Sequence, residues 1–315
     1  MNKDILLVGS GGMAVDYAKV LRALGVNYLV IGRGESSAKS FRDATGKDVI
    51  LGGLSRYLSK KLSVPTHAIV AVGVENLHET TILLLEYGVK NILVEKPVGM
   101  NKQAIEEIYQ KTKENNALVS VGYNRRFYAS VLKAQEIIAD DGGVTSFNFE
   151  FTEWAHIIEP LKKAPGIKEK WFLSNSIHVV DLAFYLGGRP KEICTFTAGG
   201  LDWHPAASIF SGAGLSEGGA LFSYQANWES AGRWSVEILT RQHRLILRPM
   251  EKLQIQKKGS IVMDFAECDY TLDESFKPGL FIQTRNFINN ITDGMCMIED
   301  HVAMIDSYYK VAAYK

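Results

Sequence analysis

The sequence predicts an α/β Rossmann domain, built on a doubly wound parallel sheet, followed by a second domain with an open, mostly antiparallel sheet backed by helices. Three observations predict it. Strands and helices alternate through the first 122 residues, the strands there are apolar on both faces, and beyond Tyr123 the apolar pattern changes to a period of two. The 315 residues are about twice a typical domain, so we expect residues 1–122 to bind a dinucleotide. Residues 123–315 are expected to bind substrate and to carry self-association.

Ile5–Val8 is a short apolar run that ends in glycines. From 12 to 24, Ala14, Ala18, Leu21 and Leu24 recur at helical spacing before Gly25 stops the helix. Runs 28–31, 67–72 and 92–94 read as buried strands, with a helix over 76–87 closing at Gly88. A helix over Lys102–Glu114 then leads to a strand over Leu118–Val121. In the second half a helix over 128–139 ends at Asp141-Gly142-Gly143. Phe147, Phe149 and Phe151 then alternate with polar residues, as a half-buried strand requires. Further strands are expected at 192–197, 220–228, 235–240, 244–248, 252–256 and 260–265, and helices at 177–186, 280–291 and 301–313.

Composition removes several function classes. With 46% hydrophobic and 22% charged residues the chain has ample material for a core. Thirty-five Lys and Arg balance 35 Asp and Glu, which argues against nucleic acid or an anionic membrane as partner. No apolar run approaches the ~18 residues of a membrane span, and from the short apolar start no signal peptide is expected. Cys194, Cys268 and Cys296 show no C-x-x-C spacing, so a cytoplasmic location is expected, and the histidines show no zinc-binding spacing, so no metal is expected.

Gly9-Ser10-Gly11-Gly12-Met13-Ala14 is G-x-G-x-x-A between a strand and a helix. The first glycine permits the turn, the second admits a pyrophosphate to the backbone, and the small last residue lets helix and strand pack. Where NAD sites carry Asp or Glu at the end of the second strand, this chain has Gly32 and Arg33, with Ser36 and Ser37 behind. An Arg suits a 2′-phosphate, so NADP is favoured over NAD, with Glu35 as the residue that would reverse the preference. Lys96, in Glu95-Lys96-Pro97, follows the strand over 92–94 on the crevice side of the sheet, where it can act as acid and base on a carbinol; a surface lysine is the alternative.

The G-x-G-x-x-A turn, Asn76-Leu77-His78, Glu95-Lys96-Pro97 and Gly122-Tyr123-Asn124-Arg125-Arg126-Phe127, in this order, resemble the Gfo/Idh/MocA oxidoreductase family. The resemblance implies an NADP- or NAD-dependent oxidoreductase acting on a secondary alcohol or ketone of a sugar, polyol or nucleotide-sugar. It implies Lys96 as acid and base and His178 facing the substrate. Val72, Asn76, His78, Glu95 and Asn124 are then expected around the cofactor. Tyr123, Arg125, Trp154, Trp171, Ser174 and Asn175 are expected around a carbohydrate-like substrate. One departure stands out: many relatives carry Asp four residues before the histidine, and here that place is Ser174, with Asn175 or Asp181 as substitutes. The departure motivates a rival reading, a non-catalytic NADP-binding sensor or complex subunit, and beside it a relative that uses NAD transiently for elimination or glycoside hydrolysis. A homodimer or homotetramer through the C-terminal sheet is expected.

Overall fold

The computed structural model describes residues 5–60 and 63–315. The chain divides into two compact units. The first runs to Asn124 and takes back Asp273–Ala303; the second holds Arg125–Leu272 and Met304–Lys315. A single crossing at 122/123 does not contain that return. Its cause is local: the helix Leu280–Ile288 buries Leu280, Gln283, Thr284 and Phe287 and packs on the first helix of the chain.

In the first unit the strands are β1 (Ile5–Val8), β2 (Tyr28–Gly32), β3 (Ile50–Leu51), β4 (His67–Val70), β5 (Asn91–Val94) and β6 (Leu118–Val121). They form a parallel sheet in the order β6-β5-β4-β1-β2-β3. The short strand Cys296–Met297 adds to β6 antiparallel. Helices α1 (Gly12–Ala23), α2 (Glu35–Thr45), α3 (Gly53–Leu58), α4 (Leu77–Glu86) and α5 (Lys102–Glu114) make the connections. Strand β1 pairs with both β2 and β4, so the strand order reverses there, the place where sheets of this kind bind ligands beyond the carboxyl ends of their strands.

The second unit has β7 (Ser146–Glu150), β8 (Pro190–Ala198), β9 (Ile209–Ser216), β10 (Leu221–Asn227), β11 (Ser235–Leu239), β12 (His243–Leu247), β13 (Gln254–Lys257) and β14 (Met263–Phe265). Their order is β14-β13-β12-β11-β7-β10-β9-β8, antiparallel throughout except for the parallel pair β7–β10. Alternation puts Phe147, Phe149, Phe222 and Tyr224 on one face. There Phe147 stacks on Phe222 and Phe149 on Tyr224, both at 5.2 Å, under Phe184 of the helix Ile177–Gly187. Such pairs contribute about 0.5–1.5 kcal/mol each beyond the area they bury. The other face leaves Phe196 and Leu221 exposed. Among the described residues no helix is long and apolar enough to cross a membrane.

Candidate active site

Strand β1 stops at a glycine for a steric reason. Gly9 has φ +123°, and a Cβ there would lie 2.2 Å from the Ala71 carbonyl oxygen. Gly11 caps α1 without a side-chain acceptor, and the α1 first turn holds no acidic residue. A Cβ on Gly11 or Gly12 would meet nothing within 4 Å, so the N-terminal N–H groups of α1 can be approached from outside. An anion is favoured there by the unpaired donors and by the helix dipole. The cradle therefore fits a pyrophosphate. Beside it Lys277 donates to the Met13 sulfur at 2.9 Å and lies 3.8 Å from Asp16. Nothing in the local sequence around Lys277 signals that placement.

At the end of β2 the Arg33 guanidinium is exposed and donates to the Asn76 side-chain oxygen at 3.1 Å. Of the two serines, Ser37 gives its proton to the Gly34 carbonyl and accepts from Ser10 at 2.9 Å. Its hydroxyl thus has no proton left for a phosphate, whereas Ser36 is exposed in the first turn of α2. Glu35 is exposed in the same turn. Val72 is half-buried just past β4. His78 turns away to Glu107 on α5 at 2.9 Å, a contact between helices. Asn124 is buried and its amide donates to the Pro278 carbonyl at 2.8 Å, fastening the returning segment.

Lys96 is half-buried directly after Glu95, at the carboxyl end of β5. Its neighbours are held from both sides. Glu95 accepts a 2.7 Å bond from the hydroxyl of Tyr17 in α1, and Gln283 donates to the same hydroxyl. Burial, and then the Glu95 carboxylate, push the Tyr17 hydroxyl well above its ordinary range. On the other side His301 bonds the Pro97 carbonyl at 3.1 Å through Nε2. A carbonyl only accepts, so His301 carries its proton on Nε2, and Nδ1 accepts from the Tyr123 hydroxyl at 3.3 Å. Tyr123 and His301 are each 1% exposed. Tyr123 thus braces the Pro97 turn from the core instead of lining a substrate surface, and the sequence reading missed His301.

In the second unit an over-wide helical turn, Phe172–Ser176, runs into the helix Ile177–Gly187, the kind of irregularity that collects at functional sites. Ser174 donates to the Trp171 carbonyl at 3.3 Å. Neither expected substitute for the missing Asp is available. Asn175 donates to Glu153 at 2.8 Å, and Asp181 is held by Arg126 through two bonds of 2.9 and 2.6 Å. Glu153, which the sequence did not single out, is 2% exposed and also accepts from Ser176. Burial pushes its carboxyl above the usual range despite those donors. His178 is buried, its ring 6.5 Å from that of Trp234. Arg125 stacks on Trp234 at 4.9 Å, while Trp154 is half exposed and donates to the Gly232 carbonyl. Trp171 is buried edge-on to Trp203 at 6.3 Å, so it is a core anchor.

Residues 3–123 match the family model GFO_IDH_MocA, described as an oxidoreductase family with an NAD-binding Rossmann fold. Over those residues the first domain is similar to the Gfo/Idh/MocA oxidoreductase family. An uncharacterized oxidoreductase of Streptococcus pneumoniae serotype 4 is 26% identical over 62% of this chain and 52% of its own length. Myo-inositol 2-dehydrogenase of Thermotoga maritima is 22% identical over 40% of this chain and 37% of its own. The matches thus span about half or less of these curated relatives. A levoglucosan dehydrogenase in complex with NADH and levoglucosan superposes over 99% of this chain and 97% of its own, with TM-score 0.78 and 17% identity, which shows a shared fold.

The residues that would hold a dinucleotide in this unit are Gly9, Ser10, Gly11, Gly12 and Met13 for the pyrophosphate and Gly32, Arg33 and Ser36 for the ribose edge. Among the described residues no three His, Cys, Asp or Glu side chains gather as a metal site.

Proposed function

We propose that the protein is an NADP-preferring dehydrogenase or reductase acting on a secondary alcohol or ketone of a sugar, polyol or nucleotide-sugar. The observation that carries it is the position of Lys96. It lies at the carboxyl end of β5, the strand next to β4 at the reversal, on a turn braced by Glu95–Tyr17 and His301–Pro97. When bound, a nicotinamide dinucleotide supplies or accepts the hydride at the carbinol carbon. In reduction Lys96 gives its proton to the oxygen of that carbon as it becomes a hydroxyl, and in oxidation it takes that proton. In the second unit His178 is the residue we assign to donate a hydrogen bond to a substrate oxygen.

The absence of a carboxylate at Ser174 favours a second reading, in which the dinucleotide is used transiently for elimination or glycoside hydrolysis. One assay separates the two. A panel of keto-sugars and polyols is incubated with wild-type and Lys96→Ala protein while nicotinamide absorbance and product are both followed. The dehydrogenase reading expects equal changes in the two signals, and a loss of about 10²–10⁴-fold in Lys96→Ala with dinucleotide binding retained. Near-wild-type turnover of Lys96→Ala overturns the role of Lys96, and product without net absorbance change supports the second reading.

A further inference from the structure

Two guanidinium groups in the second unit lie against one indole. Arg125 and Arg233 each sit 4.9 Å from the centroid of Trp234, and Arg233 also covers Trp154 at 4.9 Å. Like charges held together this way repel, and the Trp faces offset only part of that cost. Among the described residues the Arg125 guanidinium has neither a hydrogen bond nor an ion pair. It feels Glu251 and Glu153 only through longer-range attraction, and burial and the charge of Arg233 pull its guanidinium below the ordinary range. The ion pair of Arg233 is a loose one, 3.6 Å from Glu153, whose other oxygen is taken by Asn175 and Ser176. Trp234 is 6% exposed, and its indole N–H has no acceptor among the described residues. A buried donor without an acceptor and an Arg without a carboxylate are both costly unless a ligand completes them. The His178 ring adjoins the same indole at 6.5 Å.

We propose that Arg125, Arg233 and the Trp234 N–H form an oxyanion subsite for a carboxylate carried by the substrate, which makes the substrate class acidic sugars rather than neutral polyols. The inference rests on the dehydrogenase reading and narrows it. A planar carboxylate matches the guanidinium fork. A single negative charge also suits two Arg groups that already face Glu153 and Glu251 better than a phosphate dianion would.

The test is binding to the full chain without dinucleotide, followed by Trp fluorescence, with D-glucuronate, D-glucose and D-glucose 6-phosphate as probes. The expected result is that glucuronate binds at least about tenfold tighter than glucose, and that Arg233→Gln removes roughly tenfold of that affinity while glucose binding stays within twofold. The Arg233 side chain is 48% exposed, so this substitution leaves the core intact. Trp234→Phe keeps the ring, loses the donor, and weakens glucuronate alone. Equal binding of glucuronate and glucose, tightest binding of the phosphate, or an equal loss for all three probes in Arg233→Gln overturns the subsite. Acid-selective binding without nicotinamide turnover on any acidic sugar keeps the subsite and sinks the dehydrogenase reading. Turnover of neutral polyols without acid selectivity does the reverse.

Discussion

A Cβ on residue 32 would lie 2.7 Å from a Val49 methyl carbon and 2.9 Å from the Ser10 hydroxyl, so the end of β2 cannot carry a carboxylate without displacing its neighbours. In the proposed function Arg33, one residue on, is the residue assigned to the ribose. Replacing Arg33 with Ala is expected to weaken NADPH binding about tenfold and NADH binding less than twofold; equal losses in parallel titrations would remove Arg33 from the 2′-phosphate. At this scale the sequence was legible where a backbone position demands a residue type. Gly9 and Gly32 are such positions, because a Cβ at either collides with a neighbour. It was not legible where a side chain's partner comes from afar. Tyr123 and Asn124 are expected at the site from the family resemblance, yet His301 and Pro278 claim their polar atoms across more than 150 positions of sequence.

Regular periodicity made most elements readable, and the missed ones have identifiable causes. Strand β9 carries Gly212 and Gly214 on its inner face, where Cβ atoms would lie 2.5 Å from the Tyr224 and Phe222 rings. The ring side chains of β10 fill that space, so the alternation of large apolar residues is absent from β9 itself. Helix α2 buries only Ala38 and Phe41 and therefore shows little apolar stripe. The end of the chain is secured by a different device. The Ala207 carbonyl accepts from His204 Nδ1 at 2.7 Å, so Nε2 accepts from the Tyr314 hydroxyl at 2.8 Å. Burial pulls the His204 imidazole below its ordinary 6.5. With the folded value depressed, the unfolded chain takes up the proton first, so this contribution is whole above pH 6.5 and shrinks as pH falls below it. The stability difference between wild type and His204→Gln in urea unfolding is therefore expected to fall from pH 7.5 to pH 5, by at most about 1.4 kcal/mol per pH unit. A difference independent of pH would contradict it.

Across the whole molecule, the class of each sheet followed from its periodicity. Strands apolar on both faces gave a parallel sheet, and the alternating strands gave an antiparallel one with a single parallel pair, β7–β10. The return of Asp273–Ala303 to the first unit was not readable. An amphipathic helix such as Leu280–Ile288 shows that it buries a face and not which sheet or helix covers it. The organisation of the first unit makes dinucleotide binding the central claim, since the glycine cradle, the reversal of strand order and the Lys96 turn all converge on it. The most direct test is a titration of the purified protein with NADPH and with NADH, followed by energy transfer from Trp to the reduced ring. Saturable binding of both, with NADPH the tighter, is the predicted result; tighter NADH binding would contradict the reading of Arg33, and no binding of either would contradict the account as a whole.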